Sequence, residues 1–188
     1  MLENYDTRNI ADRFKGMTEE EIADALSPRS PFQAWFFNLA GDFNKATGLR
    51  NANAFNAEQV VFIGSKKWDR RGAVGTHHYT PLSFLDPSDF AARVGQAKAQ
   101  GYHIVGVDNV EGAVPVHSWR LTYDQTKADA IRPYIFIFGE EQLGLSAETL
   151  ALCDEVVYIP QQGTVRSLNV GTASGIIFYD FMNKIGLL

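Results

Sequence analysis

From residue 32 onward, short apolar runs alternate with longer stretches whose apolar residues recur every three or four positions. The runs at 34–39, 59–63, 102–107, 134–138 and 155–159 are each five or six residues long and rich in β-branched and aromatic side chains. Runs of that length, apolar on both sides, predict strands buried on both faces. Between them the spacing predicts helices over about 44–55 and 168–185, and one in which Phe90, Val94 and Ala97 share a face before Gly101 ends it. Ser88 is the expected cap of that helix, and Asp42 or Asn44 of the first. Strand and helix in alternation indicate an α/β fold, a mostly parallel sheet with helices on both faces. Residues 108–132 carry Pro115, Trp119 and few periodic cues, and read as loop with a short strand near 114–119.

The ends of the chain have a different pattern. Residues 1–30 are polar and charge-rich and form an N-terminal helical arm, distinct from a main domain over 31–188. Within the arm, Thr18-x-x-Glu21 reads as a capping box for a short helix through Leu26. Pro28 and Pro31 are expected to break the chain before the main domain. The last helix contains Gly171 and Gly175 in its first turns. Glycine inside a helix costs about 1 kcal/mol relative to alanine, so this pair predicts close packing of another backbone. Beyond it, Ile176, Ile177, Phe178, Tyr179, Phe181 and Met182 are apolar nearly all round. Such a helix should be covered on more than one side, which a subunit interface would provide.

Two loops share a layout suited to ligand binding. Strand 155–159 ends at Pro160, a polar turn with Gly163 follows, and a helix of small apolar residues opens near Ser167. Some twenty residues upstream, strand 134–138 runs into GEEQLGLS at 139–146 and then a short helix. Loop N–H groups and helix N-termini of this kind stay unsatisfied until something fills the gap. Two such loops facing one another would make a pocket. The fingerprint GxGxxG after a first strand is absent, as is GxxxxGK[ST], which argues against a nicotinamide enzyme and an NTPase.

Composition narrows the setting. The 188 residues suffice for one domain with its own core. Cys153, the one cysteine, excludes an intramolecular disulfide and a cysteine metal cluster, and suits a reducing cytoplasm. No apolar run of about eighteen residues predicts a membrane span, and the first residues are too polar for a signal peptide. With 17 basic and 22 acidic residues the net charge is −5, which by itself argues against a nucleic-acid partner. Local charge says otherwise. Lys66, Lys67, Arg70 and Arg71 surround Trp68 within seven residues, with His77 and His78 just beyond. That segment reads equally well as a solvated loop or as a phosphate-tracking patch with a stacking aromatic.

Three ordered motifs decide between these readings. They are Asn44-x₅-Arg50 opening a helix, Phe138-Gly139-Glu140-x₃-Gly144-Leu145-Ser146, and Ile159-Pro160-Gln161-x-Gly163-x₃-Ser167-Leu168-Asn169-Val170. Together, over residues 32–184, they resemble the SpoU (TrmH-type) RNA ribose 2′-O-methyltransferases. The resemblance implies a SPOUT fold whose C-terminal portion is threaded into a deep trefoil knot, against the usual avoidance of threaded connections. It also implies S-adenosyl-L-methionine as cofactor, RNA as substrate and a homodimer with the active site near its interface. No metal is implied. The motifs look most like those of enzymes that methylate a D-loop guanosine of tRNA. An rRNA 2′-O-methyltransferase, or a non-catalytic RNA-binding dimer of the same fold, are the alternatives.

Roles follow residue by residue from the same resemblance. Arg50 is the expected catalytic residue, with Asn44, Glu140, Ser167 and Asn169 around it. An arginine is always protonated near neutrality, so Arg50 is better placed to orient substrate and stabilise developing oxyanion charge than to act as a base. Asn44 as a plain cap, Glu140 as an acceptor pinning Asn44, Arg50 or the loop, and Ser167 as a helix cap remain open. Asn169, at a third helical position, would be a mediocre helix former, which hints at another task. Val107, Gly139, Ile159 and Leu168 are the expected cofactor contacts. Ile159 and Leu168 would sandwich an adenine, and Gly139, lacking a Cβ, would let a chain approach closely. Lys66, Lys67, Arg70 and Arg71 are the expected RNA contacts.

Overall fold

The computed structural model describes residues 8–37, 42–124 and 130–188. Its strands and helices, in chain order, are α1 (Glu19–Ala25), β1 (Ser30–Phe36), α2 (Asp42–Ala54), β2 (Ala57–Ile63), β3 (Leu82–Leu85), α3 (Phe90–Ala99), β4 (His103–Val107), β5 (Val114–Pro115), β6 (Tyr123–Asp124), β7 (Ala130–Ile131), β8 (Tyr134–Phe138), α4 (Ala147–Leu152), β9 (Glu155–Tyr158) and α5 (Val170–Lys184). Seven of the strands form one sheet in the order β3-β2-β1-β8-β4-β9-β5, and every described pairing in it is parallel.

The two-residue period of the strands sorts their side chains onto two covered faces. Phe32, Ala34, Phe36, Tyr134, Phe136 and Phe138 point to one side, where Leu49 of α2 and Phe178 and Phe181 of α5 close the core. Trp35, Val61, Ile63, Ile135 and Ile137 point to the other, against Phe90, Val94 and Ala97 of α3. Helices on both faces are as the alternating pattern predicts. No described helix is long and apolar enough to cross a membrane.

Several local expectations are corrected. The β1 strand starts at Ser30, so Pro31 lies inside it; the β1–β2 register shifts between Ser30 and Gln33, an irregularity where a missing N–H is tolerated. Both Asp42 and Asn44 lie within α2 and do not precede it. Asp86, not Ser88, caps the turn entering α3, its carboxylate accepting from Ser88 N–H. Gly101 ends α3 as expected, at φ +93°. The Thr18–Glu21 capping box is present in both halves, at 3.2 and 2.7 Å. The arm packs on the body through buried Ile22, through Arg29 on the Tyr79 carbonyl (2.9 Å) and through Asn56 on the Leu26 carbonyl (2.8 Å).

The sheet order also positions the site. Strand β8 enters between β1 and β4, and β9 between β4 and β5. Phe36, Phe138 and Val107 stand in register, with Val157 opposite Val107. The carboxyl ends of β1, β4, β8 and β9 therefore lie side by side, the end of a parallel sheet where ligands bind.

Candidate active site

A cavity of about 450 Å³ opens at those carboxyl ends. Its walls are the segment after β4, the loop after β8 and the loop between β9 and α5. Val107, Gly139, Ile159 and Leu168, all four expected cofactor contacts, line it, as do Glu140 and Ser167. The two similar loops do face one another.

The loop after β8 folds back on itself. Glu140 and Gly144 exchange backbone hydrogen bonds at 3.2 and 2.9 Å. A Cβ on Gly139 would stand 2.2 Å from the Gly144 carbonyl carbon. The chain that approaches Gly139 is thus the loop's own return. Gly144 has φ +68°, and a Cβ there would meet the Asp108 carboxylate at 2.4 Å. That carboxylate accepts from the N–H groups of Leu145 (2.6 Å) and Asn109 (2.7 Å), tying the loop to the end of β4. Asp108 is a cavity residue that sequence reasoning missed, since an aspartate in an irregular stretch carries no periodic signal.

A second set of bonds joins α2 to the opposite wall. Helix α5 starts at Val170, so Asn169 is its N-cap, not a third helical residue, and Ser167 lies outside the helix on the exposed cavity rim. Asn169 Oδ1 accepts from Gly171 N–H (2.9 Å) and Thr172 N–H (3.3 Å). Its Nδ2 donates to Asn44 Oδ1 (2.9 Å), and Asn44 Nδ2 donates to Glu141 Oε1 (2.7 Å). The carboxylate that pins Asn44 is therefore Glu141, while its neighbour Glu140 holds the loop through its backbone. Glu141 was legible only as part of a doubled acid, with nothing to choose between the two.

Helix α2 also lies tightly on α5. Gly171 leaves no room for a Cβ beside Thr47 Cγ2 (2.6 Å), and Asn51 Nδ2 donates to the Gly171 carbonyl (2.6 Å) and Ser174 Oγ (3.0 Å). What packs against the α5 glycines is thus α2 of the same chain, through the side chains of Thr47 and Asn51 and not through another backbone as expected. Arg50 is exposed on α2 and is not among the cavity-lining residues. It lies seven residues, two helical turns, beyond Phe43, itself 59% exposed, so the two share a solvent-facing stripe.

The four expected RNA contacts Lys66, Lys67, Arg70 and Arg71 are all exposed, on the segment after β2. Arg71 forms a bidentate pair with Asp69 (2.7 Å at its shortest), whose bonds hold the Asp69 carboxyl below its ordinary range. Trp68 is half-buried, edge-on to Phe62 and His77, with Arg70 over its ring, and is not an open stacking surface. Burial pushes the Cys153 thiol up to about 11, which leaves it a poor nucleophile. Among the described residues no group of three or more His, Cys, Asp or Glu side chains could hold a metal ion.

A parallel sheet with helices on both faces and a cavity between two loops at its carboxyl edge defines a small-ligand α/β domain. The model of the SpoU rRNA methylase family matches residues 32–179, and the chain belongs to that family. It is 36% identical over 140 residues to the tRNA (guanosine(18)-2′-O)-methyltransferase of Escherichia coli, a match covering 73% of this chain and 56% of that protein. The chain thus spans little more than half the length of that curated relative. The crystal structure of the TrmH/SpoU tRNA modifying enzyme of A. aeolicus superimposes with a TM-score of 0.76 at 20% identity, over 89% of this chain and 82% of that one. The SpoU methyltransferase AviRb of Streptomyces viridochromogenes, in complex with the cofactor AdoMet, superimposes at 0.69 with 25% identity, over 86% and 61% respectively.

Proposed function

We propose that this chain is an S-adenosylmethionine-dependent RNA 2′-O-ribose methyltransferase acting on tRNA, at a guanosine of the D-loop. The observation that carries the reading is the convergence of the second and third motifs on one cavity, with Asn44 of the first bonded to Glu141 of its lining and to Asn169 of the third motif. The tRNA assignment draws on the name of the Escherichia coli relative; an rRNA substrate is the second reading, favoured by the description of the matching family. S-adenosylmethionine would supply an electrophilic methyl group. The residues fit such a ligand. Val107, Ile159 and Leu168 offer apolar walls for an adenine, and the acidic lining by Asp108, Glu140 and Glu141 suits a molecule bearing a sulfonium and an ammonium. Arg166, also in the lining, suits its carboxylate.

In this reading Ser167 and Asn44 position the ribose, and Asn169 fixes Asn44 while capping α5. Arg50 orients the substrate and stabilises the negative charge that develops on the attacking oxygen. Lys66, Lys67, Arg70 and Arg71 track RNA phosphates, so substrate affinity resides in a local strip despite the acidic whole. Residues 1–30 are an N-terminal arm to a SPOUT domain of residues 31–188; its described part, up to β1, is braced on that domain, and residues 1–7 lie outside the described residues. The C-terminal portion is knotted, for which the insertion of β8 and β9 between earlier strands is the support. The chain acts in the cytoplasm as a homodimer. The test is incubation with isotopically labelled methyl donor and total RNA, followed by mass spectrometry of the nucleosides. Labelled 2′-O-methylguanosine in the tRNA fraction is the expected product; label in rRNA alone selects the second reading, and no label in any nucleoside sinks both.

A further inference from the structure

The basic strip and the cavity share an anchor in the first turn of α2. Lys45, which follows Asn44, is fully buried at 0% exposure, a place lysine rarely takes. A buried ammonium is costly unless hydrogen bonds replace its water. Its Nζ donates to the carbonyls of Ser65 (2.7 Å) and Lys67 (3.1 Å), and it lies 5.9 Å from the centroid of the Phe62 ring. The turn it grips is the one that carries the exposed Lys66 and Lys67. The strip's far end is seated on the same helix, because a Cβ on Gly72 would stand 2.8 Å from Ala46 Cβ and Ala73 is fully buried. One residue earlier, Asn44 is bonded to Glu141 and Asn169 at the cavity. A single helical turn thus holds the strip on one side and the cavity on the other.

We infer that Lys45 is a positioning residue for the RNA substrate. It fixes residues 65–67 so that Lys66 and Lys67 present their ammonium groups to RNA phosphates at a set distance from the cavity. The inference rests on reading the basic segment as the RNA strip. A charge inside the protein serves here to place charges outside it. The backbone of a turn offers carbonyls as its inward-facing groups, and a buried donor of three N–H groups can bind two of them at once.

The test compares Lys45→Met, which keeps the length of the side chain without its charge, with Lys66→Ala/Lys67→Ala and with the triple variant. Circular dichroism first establishes that each is folded. Amide hydrogen exchange over residues 64–69, KM for tRNA, the salt dependence of RNA binding and kcat at saturating RNA are then measured. In Lys45→Met, exchange over 64–69 should rise and KM should rise several-fold with kcat little changed. The salt slope should fall by up to about 2, toward that of the double variant. Adding Lys45→Met to the double variant should move KM little further. Exchange at the parent rate, or a KM effect that adds in full to that of the double variant, would overturn the inference while leaving the strip intact. If the double variant itself binds RNA with the parent slope, the strip reading fails and the inference goes with it. Should Lys45→Met not fold, Lys45→Gln, a neutral donor able to reach one carbonyl at most, carries the same comparison.

Discussion

Asn169 uses both ends of its amide, one to cap α5 and one to hold Asn44. The two uses separate by substitution. Asn169→Asp keeps an oxygen that accepts from Gly171 and Thr172 N–H, and its charge suits a helix N-terminus. It loses the donor to Asn44 and sets a carboxylate against Asn44 Oδ1. Denaturant titration should find its stability within about 0.5 kcal/mol of the parent, against a loss of about 1 kcal/mol for Asn169→Ala. Turnover should nevertheless fall at least about tenfold, the scale expected when a positioning contact of about 1.4 kcal/mol is lost from the transition state. Parental turnover in Asn169→Asp would show the bond to Asn44 to be structural only. Arg50 makes the complementary case, because it is exposed on α2. Arg50→Ala should lower single-turnover rates at saturating RNA by about 10²–10³-fold, the range for losing an oxyanion donor. Its RNA affinity should be nearly unchanged. Arg50→Lys should not restore the rate, since an ammonium lacks the planar fork. Near-normal rates in Arg50→Ala would make it an ordinary surface arginine.

Among the elements, the strand-then-loop units were the most legible part of the chain. Strands β4, β8 and β9 lie within a residue of where their apolar runs predict them: β8 is apolar and buried throughout, while β4 and β9 each open on one polar residue, His103 and Glu155, before their β-branched runs. Helix starts were less legible, and for a physical reason. Ser88, Ser167 and Asn44 are all competent caps by residue type, but the cap is whichever oxygen tertiary packing brings to the first free N–H groups. Asn169 caps α5, and Asp86 caps the turn before α3, whose own N-cap, Asp89, makes no side-chain bond to the helix. Folded-back loops were hardest of all. The reading of Gly139 as room for an approaching chain is correct, while the identity of that chain depends on the Glu140–Gly144 bridge, which no periodicity encodes. This changes the expected effect of mutation. Gly139→Ala places one methyl group 2.2–2.6 Å from the backbone of Gly144 and Leu145, so it must open the loop. Calorimetric titration with S-adenosylmethionine should show binding reduced beyond detection by a single methyl group, and Gly163→Ala, where a Cβ meets nothing within 4 Å, should bind normally. Equal affinities in the two variants would mean that the loop after β8 does not form the cofactor wall.

For the whole molecule, the question is what covers the outer stripes of α2 and α5. The expectation that α5 has more apolar faces than one core can cover is met only in part. Ile177, Phe178, Phe181 and Met182 are buried within the chain, while Ile176 and Tyr179 stay 38% and 59% exposed. Residues 172, 176, 179 and 183 form one stripe of α5, all exposed, and the Tyr179 ring lies 6.4 Å from that of Phe55, just past the end of α2. The α2 stripe bearing Phe43 and Arg50 completes an outward surface on the same pair of packed helices. The proposed homodimer would use this surface, because an isologous contact across a two-fold axis would bury the same side chains twice over. Fully burying an isoleucine contributes about 1.5–3 kcal/mol, of which Ile176, 38% exposed, has a part still to gain. Light scattering at micromolar concentration should therefore report about twice the 20.9 kDa chain mass, and Ile176→Glu/Tyr179→Glu should report the chain mass itself with an unchanged circular dichroism spectrum. The position of Arg50 adds a consequence that simple dissociation does not require. The cavity is built within one chain, whereas Arg50 lies on the stripe the second copy would cover. The monomeric variant should thus bind S-adenosylmethionine with parental affinity and yet lose turnover to about the level of Arg50→Ala. A parent chain that scatters as a monomer removes the interface, and a monomeric variant that turns over normally removes Arg50 from it.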